Sequence, residues 1–294
     1  GSYFFNKTDN EALTKLDRVY YQVSGIDQLY SENNSSSSDN INHRVNLRVN
    51  FQIDTLNSFL IMPRLSFQSN DGSTRMSGKT FSSIKDINST DNYSGSNLSA
   101  YDGATEILYR HRFLTRGRTI SARINFSYNS NNGDNNLYSF INYYDNIINS
   151  DTTDQIGKLD KTTNSIDANL VYTEPISDNS QLQLMGSVSF SKSESDLKNF
   201  SRDFISNQYN LLDTSLSNLY TKKYNTKSVS VGYAYRTENI LFLSGLSYNF
   251  ATLGNDQVFP FNNSLTKNFT SFLPYITFRY RQRRISEFMI DYRV

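Results

Sequence analysis

The side chains best placed to do chemistry in this sequence are arginines spaced two apart among amides. In residues 42–54, NHRVNLRVNFQID, Arg44, Asn46, Arg48, Asn50 and Gln52 share one parity, while Val45, Leu47, Val49, Phe51 and Ile53 share the other. Successive side chains of a strand point to opposite faces, so a strand here presents one face of cations and amides and one wholly apolar face. Arg64, Arg110, Arg112, Arg123 and Arg236 fall on the polar parity of other alternating stretches. A wall of guanidinium and amide groups can guide an anionic or sugar-like solute through forked donors. The plainer reading is a wall that only needs to stay hydrated.

Other chemistry is sparse. His43 and His111 are the only histidines, and both lie on the apolar parity near a strand end. A Ser-His-carboxylate site at a rim would require one of them to meet a serine. No HExxH, GxSxG or phosphate-cradling glycine loop is present. The acidic runs SDN at 38–40, STDN at 89–92 and NSDTTD at 149–154 offer oxygen ligands but lack the spacing of a calcium loop. With no cysteine, a disulfide scaffold and a thiolate zinc site are excluded. The expectation is a non-enzyme with no catalytic, cofactor-binding or metal-binding residue. A net charge of +1 without a basic cluster gives no footprint for nucleic acid.

The elements that must carry the arginines read as strands. Alternation recurs at 58–68, 105–113, 120–128, 166–172, 182–190, 229–235, 240–250, 272–280 and 288–294, and an opening strand is expected at 1–8. The total is about eleven strands, each near the length a tilted strand needs to cross a bilayer. The chain has 21 Tyr and 20 Phe but no Trp, and no run of about 18 apolar residues that a membrane-spanning helix would need.

Links of two kinds alternate. Tight turns are expected at 54–57, 115–118, 177–180, 237–239 and around 282–284, and long polar loops near 70–103, 130–163, 194–226 and 254–270. A soluble sandwich has no reason for this asymmetry. A barrel with short periplasmic turns and long extracellular connections requires it. Tyr and Phe near strand ends, at Tyr3, Phe5, Phe67, Tyr109, Tyr128, Tyr172, Phe190, Tyr235, Tyr248, Phe250, Tyr280 and Tyr292, fit interfacial girdles. Pro63 and Pro274 argue against full pairing where they stand. The fold class is therefore all-β, an antiparallel up-and-down transmembrane barrel of about 10–12 strands.

The stretches GSYFFNKTDNE at 1–11, residues 42–70 through QSN, and LPYITFRYRQRRISEFMIDYRV at 273–294 resemble the outer-membrane β-barrel family of TonB-dependent-receptor-like proteins common in Bacteroidota. That resemblance implies a larger barrel of about 22 strands around a plug moved by a TonB-type energy-coupling protein. Residues 1–294 would then be one partial barrel domain in the bacterial outer membrane, without the plug and the remaining strands. It would face outer-membrane lipid, and its lumenal arginines would pair with plug carboxylates. An odd strand count cannot close antiparallel, so either residues 19–24 hide another strand or the sheet is an open arc. The function implied is a segment of a transporter or receptor for nutrient uptake, with an unknown solute. A non-transporting scaffold or adhesin that binds partners through its long Asn/Ser-rich loops is the alternative, and a rim hydrolase is a third.

Overall fold

The structure, a computed structural model, describes all residues except Ser24, 145–149, 283–285 and Val294. Its strands are β1 (Ser2–Tyr20), β2 (Gln28–Asn46), β3 (Val49–Gln52), β4 (Asn57–Ser82), β5 (Asp86–Arg112), β6 (Thr119–Tyr143), β7 (Ser150–Pro175), β8 (Ser180–Asp203), β9 (Gln208–Arg236), β10 (Ile240–Phe259), β11 (Asn263–Gln282) and β12 (Ser286–Arg293). They form one sheet in chain order, each pair antiparallel, with β3 continuing the line of β2 along β4. The sheet thus has eleven staves, as the alternation anticipates. β1 and β12 are its two edges, and no ladder joins them among the described residues.

Register confirms the two faces. Residues paired across a ladder share a face, and the pairs Val49–Ile61, Ile61–Ile107, Ile107–Ile124, Ile124–Ala168 and Ala168–Val188 carry one apolar row across six staves. The apolar face is not covered by a second layer: on it Val49 is 53% exposed, Leu65 60% and Phe272 65%, and Leu60, on the opposite face, is the one buried hydrophobic residue among those described. A water-soluble sandwich would bury this face against another sheet. A band this wide and this bare needs an apolar solvent.

Aromatic rings line both borders of the band. At the upper border the Phe5 ring centroid lies 4.9 Å from that of His43, Phe67 lies 4.9 Å from Tyr101, and Tyr248 lies 4.8 Å from Phe272. At the lower border Phe59 lies 4.9 Å from Tyr109, and Tyr233 lies 6.4 Å from Phe242. The border also slides across the sheet. The row Val45, Leu65, Gly103, Tyr128, Asn164, Lys192, Lys223 is apolar up to Tyr128 and polar beyond it. A slip of about one residue per strand, ~3.3 Å along against ~4.8 Å across, corresponds to strands tilted by roughly 35 to 45°.

The long polar loops expected at 70–103, 130–163, 194–226 and 254–270 are corrected by the structure. Apart from residues 145–149, which lie outside the described residues, these segments are mostly continuations of β4 to β11, paired nearly to their tips. They stand as ribbons wet on both faces, so neither parity has to be apolar and the alternation that marks a half-buried strand is missing. Their backbone groups still pair, and short side chains add rungs: Ser37 to Ser73 at 3.0 Å, Ser139 to Asn92 at 2.6 Å, and Thr163 to Ser193 at 3.0 Å. The opening strand is likewise longer than expected, running to Tyr20 against β2. Residues 19–20 end β1, so the stretch 19–24 adds no further stave among the described residues.

The short turns stand where the sequence places them. Ile53 N donates to Asn57 O at 3.0 Å, Ile176 N to Ser180 O at 2.9 Å and Thr237 N to Ile240 O at 2.8 Å. Arg118 N donates to Thr115 O at 3.1 Å across Gly117, whose φ of 87° suits a residue without a Cβ. The turn expected around 282–284 includes residues 283 and 284, which lie outside the described residues. Pro274 pairs with Leu246 just beyond the Tyr275–Arg293 pair, the last described pair of the β11–β12 ladder.

Candidate functional site: an arginine-rich wall

The polar face begins with the same register. Carried across the ladders, it places all nine candidates, Arg44, Asn46, Arg48, Asn50, Arg64, Arg110, Arg112, Arg123 and Arg236, opposite the apolar band. Asn46 pairs with Arg64, Asn50 with Leu60, Leu60 with Leu108 and Leu108 with Arg123; Arg110 pairs with Ser58 and Ser121. Eight of the nine lie on the neighbouring staves β2/β3, β4, β5 and β6. Arg236 stands apart at the foot of β9, where its nearest cation across the sheet is Arg279, two ladder steps away through Leu241.

Arg110 and Arg112 enter a polar recess of about 440 Å³ beside the short-turn rim, shared with Gln52, Ser58, Thr119 and Ser121. Ser58, Thr119 and Ser121 stand beside the arginines read from the sequence. They lie on the polar parity of their own strands, and carrying that parity across the tight turns would have found them.

The charges on this wall are unbalanced. Among the described residues none of its arginines makes an ion pair, and the one side-chain contact is a long one from Arg48 Nη1 to Met62 Sδ at 3.8 Å. Asp102 and Glu106 on β5 and Asp167 on β7 share the face without bonding these guanidiniums. Elsewhere the protein pairs its arginines readily, as in the Arg118–Glu174 fork with Nε to Oε2 at 2.8 Å, or Arg202 Nη1 to Asp154 Oδ2 at 3.0 Å. The wall thus gathers open guanidinium forks on neighbouring staves. Such forks match carboxylate or phosphate oxygens.

The foot of the recess is fixed by the turn after β3. Asp54 Oδ1 accepts from the backbone N–H groups of Leu56 and Asn57, each at 2.7 Å, and Asn57 Nδ2 donates to Asp54 Oδ2 at 2.8 Å. These donors, the Asn57 amide foremost, hold the Asp54 carboxyl below its ordinary range. Asn57 Oδ1 in turn accepts from Tyr109 OH and His111 Nδ1, both at 2.7 Å, so the His111 proton sits on Nδ1.

A model described as an outer membrane protein beta-barrel family matches residues 111–293. The chain belongs to the outer membrane protein β-barrel family. Its place is the bacterial outer membrane, where the bare apolar band suits lipid and the arginine-rich wall lies on the opposite face. The tight turns correspond to the periplasmic rim of such a barrel and the ribbons to its extracellular side. No curated protein sequence matches the chain.

Both histidines share the parity of the apolar band rather than that of the wall, and His111 also borders the recess. His43 Nδ1 meets Tyr3 OH at 2.8 Å among Phe5 and Phe67, and His111 is held by Asn57. Neither touches a serine among the described residues. The acidic runs lie on strands rather than in loops, with Asp39 on β2, Asp91 on β5, and Asp151 and Asp154 on β7. Asn149 lies outside the described residues.

Proposed function

We propose that this chain is a wall segment of a TonB-dependent-type transporter or receptor barrel, serving uptake of a nutrient through the outer membrane. One observation carries the reading: on four neighbouring staves the interior wall gathers six arginines, Arg44, Arg48, Arg64, Arg110, Arg112 and Arg123, without an ion pair among the described residues. A wall of that kind suits an anionic or sugar-like solute, or the carboxylates of a plug seated in the lumen. The reading requires further staves beyond β1 and β12, which carry open edges that lipid does not tolerate, together with a plug and a TonB-type energy-coupling partner. We read the chain as non-enzymatic, with both histidines committed to structural hydrogen bonds outside the wall.

A non-transporting scaffold or adhesin is the second reading, favoured by the ribbons: ordered, paired strands offer a firmer binding surface than loose loops. Deletion of the gene in its source bacterium separates the two. Transport predicts that uptake of an anionic oligosaccharide is lost on deletion, and lost equally when a protonophore collapses the inner-membrane gradient. Unchanged uptake of anionic and neutral oligosaccharides, with surface attachment lost, would leave the adhesin.

A further inference from the structure

The lipid-facing side carries an unexplained concentration of cations. At the upper border of the apolar band most staves change to small neutral residues: Ser69 follows Phe67 on β4, Ser99 lies above Tyr101 on β5, Ser130 above Tyr128 on β6, and Thr252 above Phe250 on β10. On β8 and β9 the residues at this border are lysines. Lys192 stands above Phe190, and Lys227 and Lys223 stand above Val229, all three exposed. Lys192 and Lys223 are direct cross-strand partners on the same face.

Like charges placed directly opposite each other destabilise a ladder unless an anion lies between them. Glu194 reaches Lys192 at 2.7 Å, while Lys223 and Lys227 have no ion-pair partner among the described residues. Beneath the Lys192–Lys223 pair lies an apolar groove of about 840 Å³, walled by Phe126, Tyr128, Ile166 and Phe190 and bordered by the two lysines. Gly103 leaves the far end of the groove open: a Cβ there would meet only the tip of Leu65, at 3.5 Å. Apolar walls below and paired ammonium groups above are complementary to one kind of molecule.

We propose that this groove binds a phosphorylated lipid of the outer leaflet, one acyl chain lying over Gly103 and a headgroup phosphate between Lys192 and Lys223. Binding there neutralises Lys223, which no carboxylate reaches among the described residues, and fixes one lipid at the β5–β9 sector of the barrel. The inference rests on the membrane placement of the band and is independent of what the barrel transports.

The test uses the whole protein in mild non-ionic detergent, with lipid binding followed by native mass spectrometry. Lipid A carrying both phosphates is expected to bind one per protein, and its dephosphorylated form about tenfold more weakly. Lys192→Gln with Lys223→Gln should lower lipid A binding by about the same factor, and Gly103→Leu, which fills the groove without altering charge, should lower it as well. Lys158→Gln with Lys198→Gln removes an equally charged cross-strand pair higher on the same face and should leave binding unchanged. Equal binding by the Lys192/Lys223 variant, an equal loss in the Lys158/Lys198 control, or full displacement by millimolar inorganic phosphate would each overturn the proposal. The last outcome would reveal a bare anion site. Lys192, Lys223 and Lys158 project from regular ladders and Lys198 from the regular β7–β8 ladder beside the β8–β9 irregularity, and a strand-type circular dichroism spectrum shows that each variant folds.

Discussion

Leu47 N donates to Pro63 O at 3.0 Å, and the return bond of that pair is missing because proline has no N–H. The line of β2 breaks there, at residues 47–48, and resumes as β3 in unchanged register, with Asn46 opposite Arg64 before the gap and Val49 opposite Ile61 after it. Pro63 thus sits in a central stave at the cost of one ladder bond.

Replacing Pro63 with alanine supplies the missing donor. The new backbone amide at position 63 is expected to be protected from hydrogen exchange, and β2 and β3 to become one strand. Stability should change by no more than about 1 kcal/mol, because the gained bond offsets the lost stiffness of the unfolded chain. Loop-like exchange of that amide would show that the break has another cause.

Tyr275 covers two glycines in one row of the interior wall. Gly232 pairs with Gly245 and Gly245 with Tyr275, and a Cβ at Gly245 would lie 2.6 Å from the tyrosine ring. The ring shields backbone that glycine leaves bare. Tyr275→Ala should destabilise the barrel by about 1–3 kcal/mol, measured by denaturant unfolding in lipid vesicles. Gly245→Ala should also destabilise it, and the double variant by less than the sum, since both act on one contact. Strict additivity would mean that the ring and the glycine are uncoupled.

The β8–β9 ladder shifts register where Leu197 opposes Asn218 and Asn199 opposes Asp213, and Ser217 fills the irregularity. Its Oγ accepts from Asn199 N at 3.0 Å and donates to Asp213 O at 2.5 Å, with the residue only 2% exposed. Ser217→Ala leaves a buried backbone N–H and C=O without partners, a local cost of about 1–3 kcal/mol. Faster exchange at the Asn199 amide and earlier proteolytic cleavage of this ribbon are the expected readouts. Unaltered exchange at Asn199 would contradict them.

The Asp54 turn should respond to acid. Its carboxyl is held below the unfolded value by Asn57 and Leu56, so its contribution is present above the unfolded pKa of about 3.9 and is lost as pH falls through the lower folded value. Asp54→Asn is therefore expected to loosen the rim at neutral pH, with faster exchange at the Leu56 amide. The gap between variant and parent should close at low pH, once the parent carboxyl is protonated. A gap of the same size at both ends of the range would assign the effect to shape rather than charge.

Much of the architecture was legible because a pleated strand has period two whatever it packs against. Val45 and Arg44 had to part company as soon as residues 42–54 became a strand, and the same parity assigned Arg64, Arg110, Arg112, Arg123 and Arg236 to one wall. The ribbons were not legible, since Ser37, Asn92 and Thr163 stand in strands wet on both sides. There the backbone ladder and short hydroxyl and amide rungs hold the pairing, and neither leaves a hydrophobic period in the sequence.

The amino-acid order by itself determined which side chains share the apolar face, which share the polar one, and where the tight turns fall. Only the tertiary structure decided who neighbours whom along a row: that Lys192 faces Lys223, that Arg110 and Arg112 share a recess with Gln52 and Ser121, and that Arg236 stands away from the other arginines. The reason is physical. A face follows from local pleating, whereas a row follows from the register between strands, set by turn geometry and by the pairing of residues far apart in the chain.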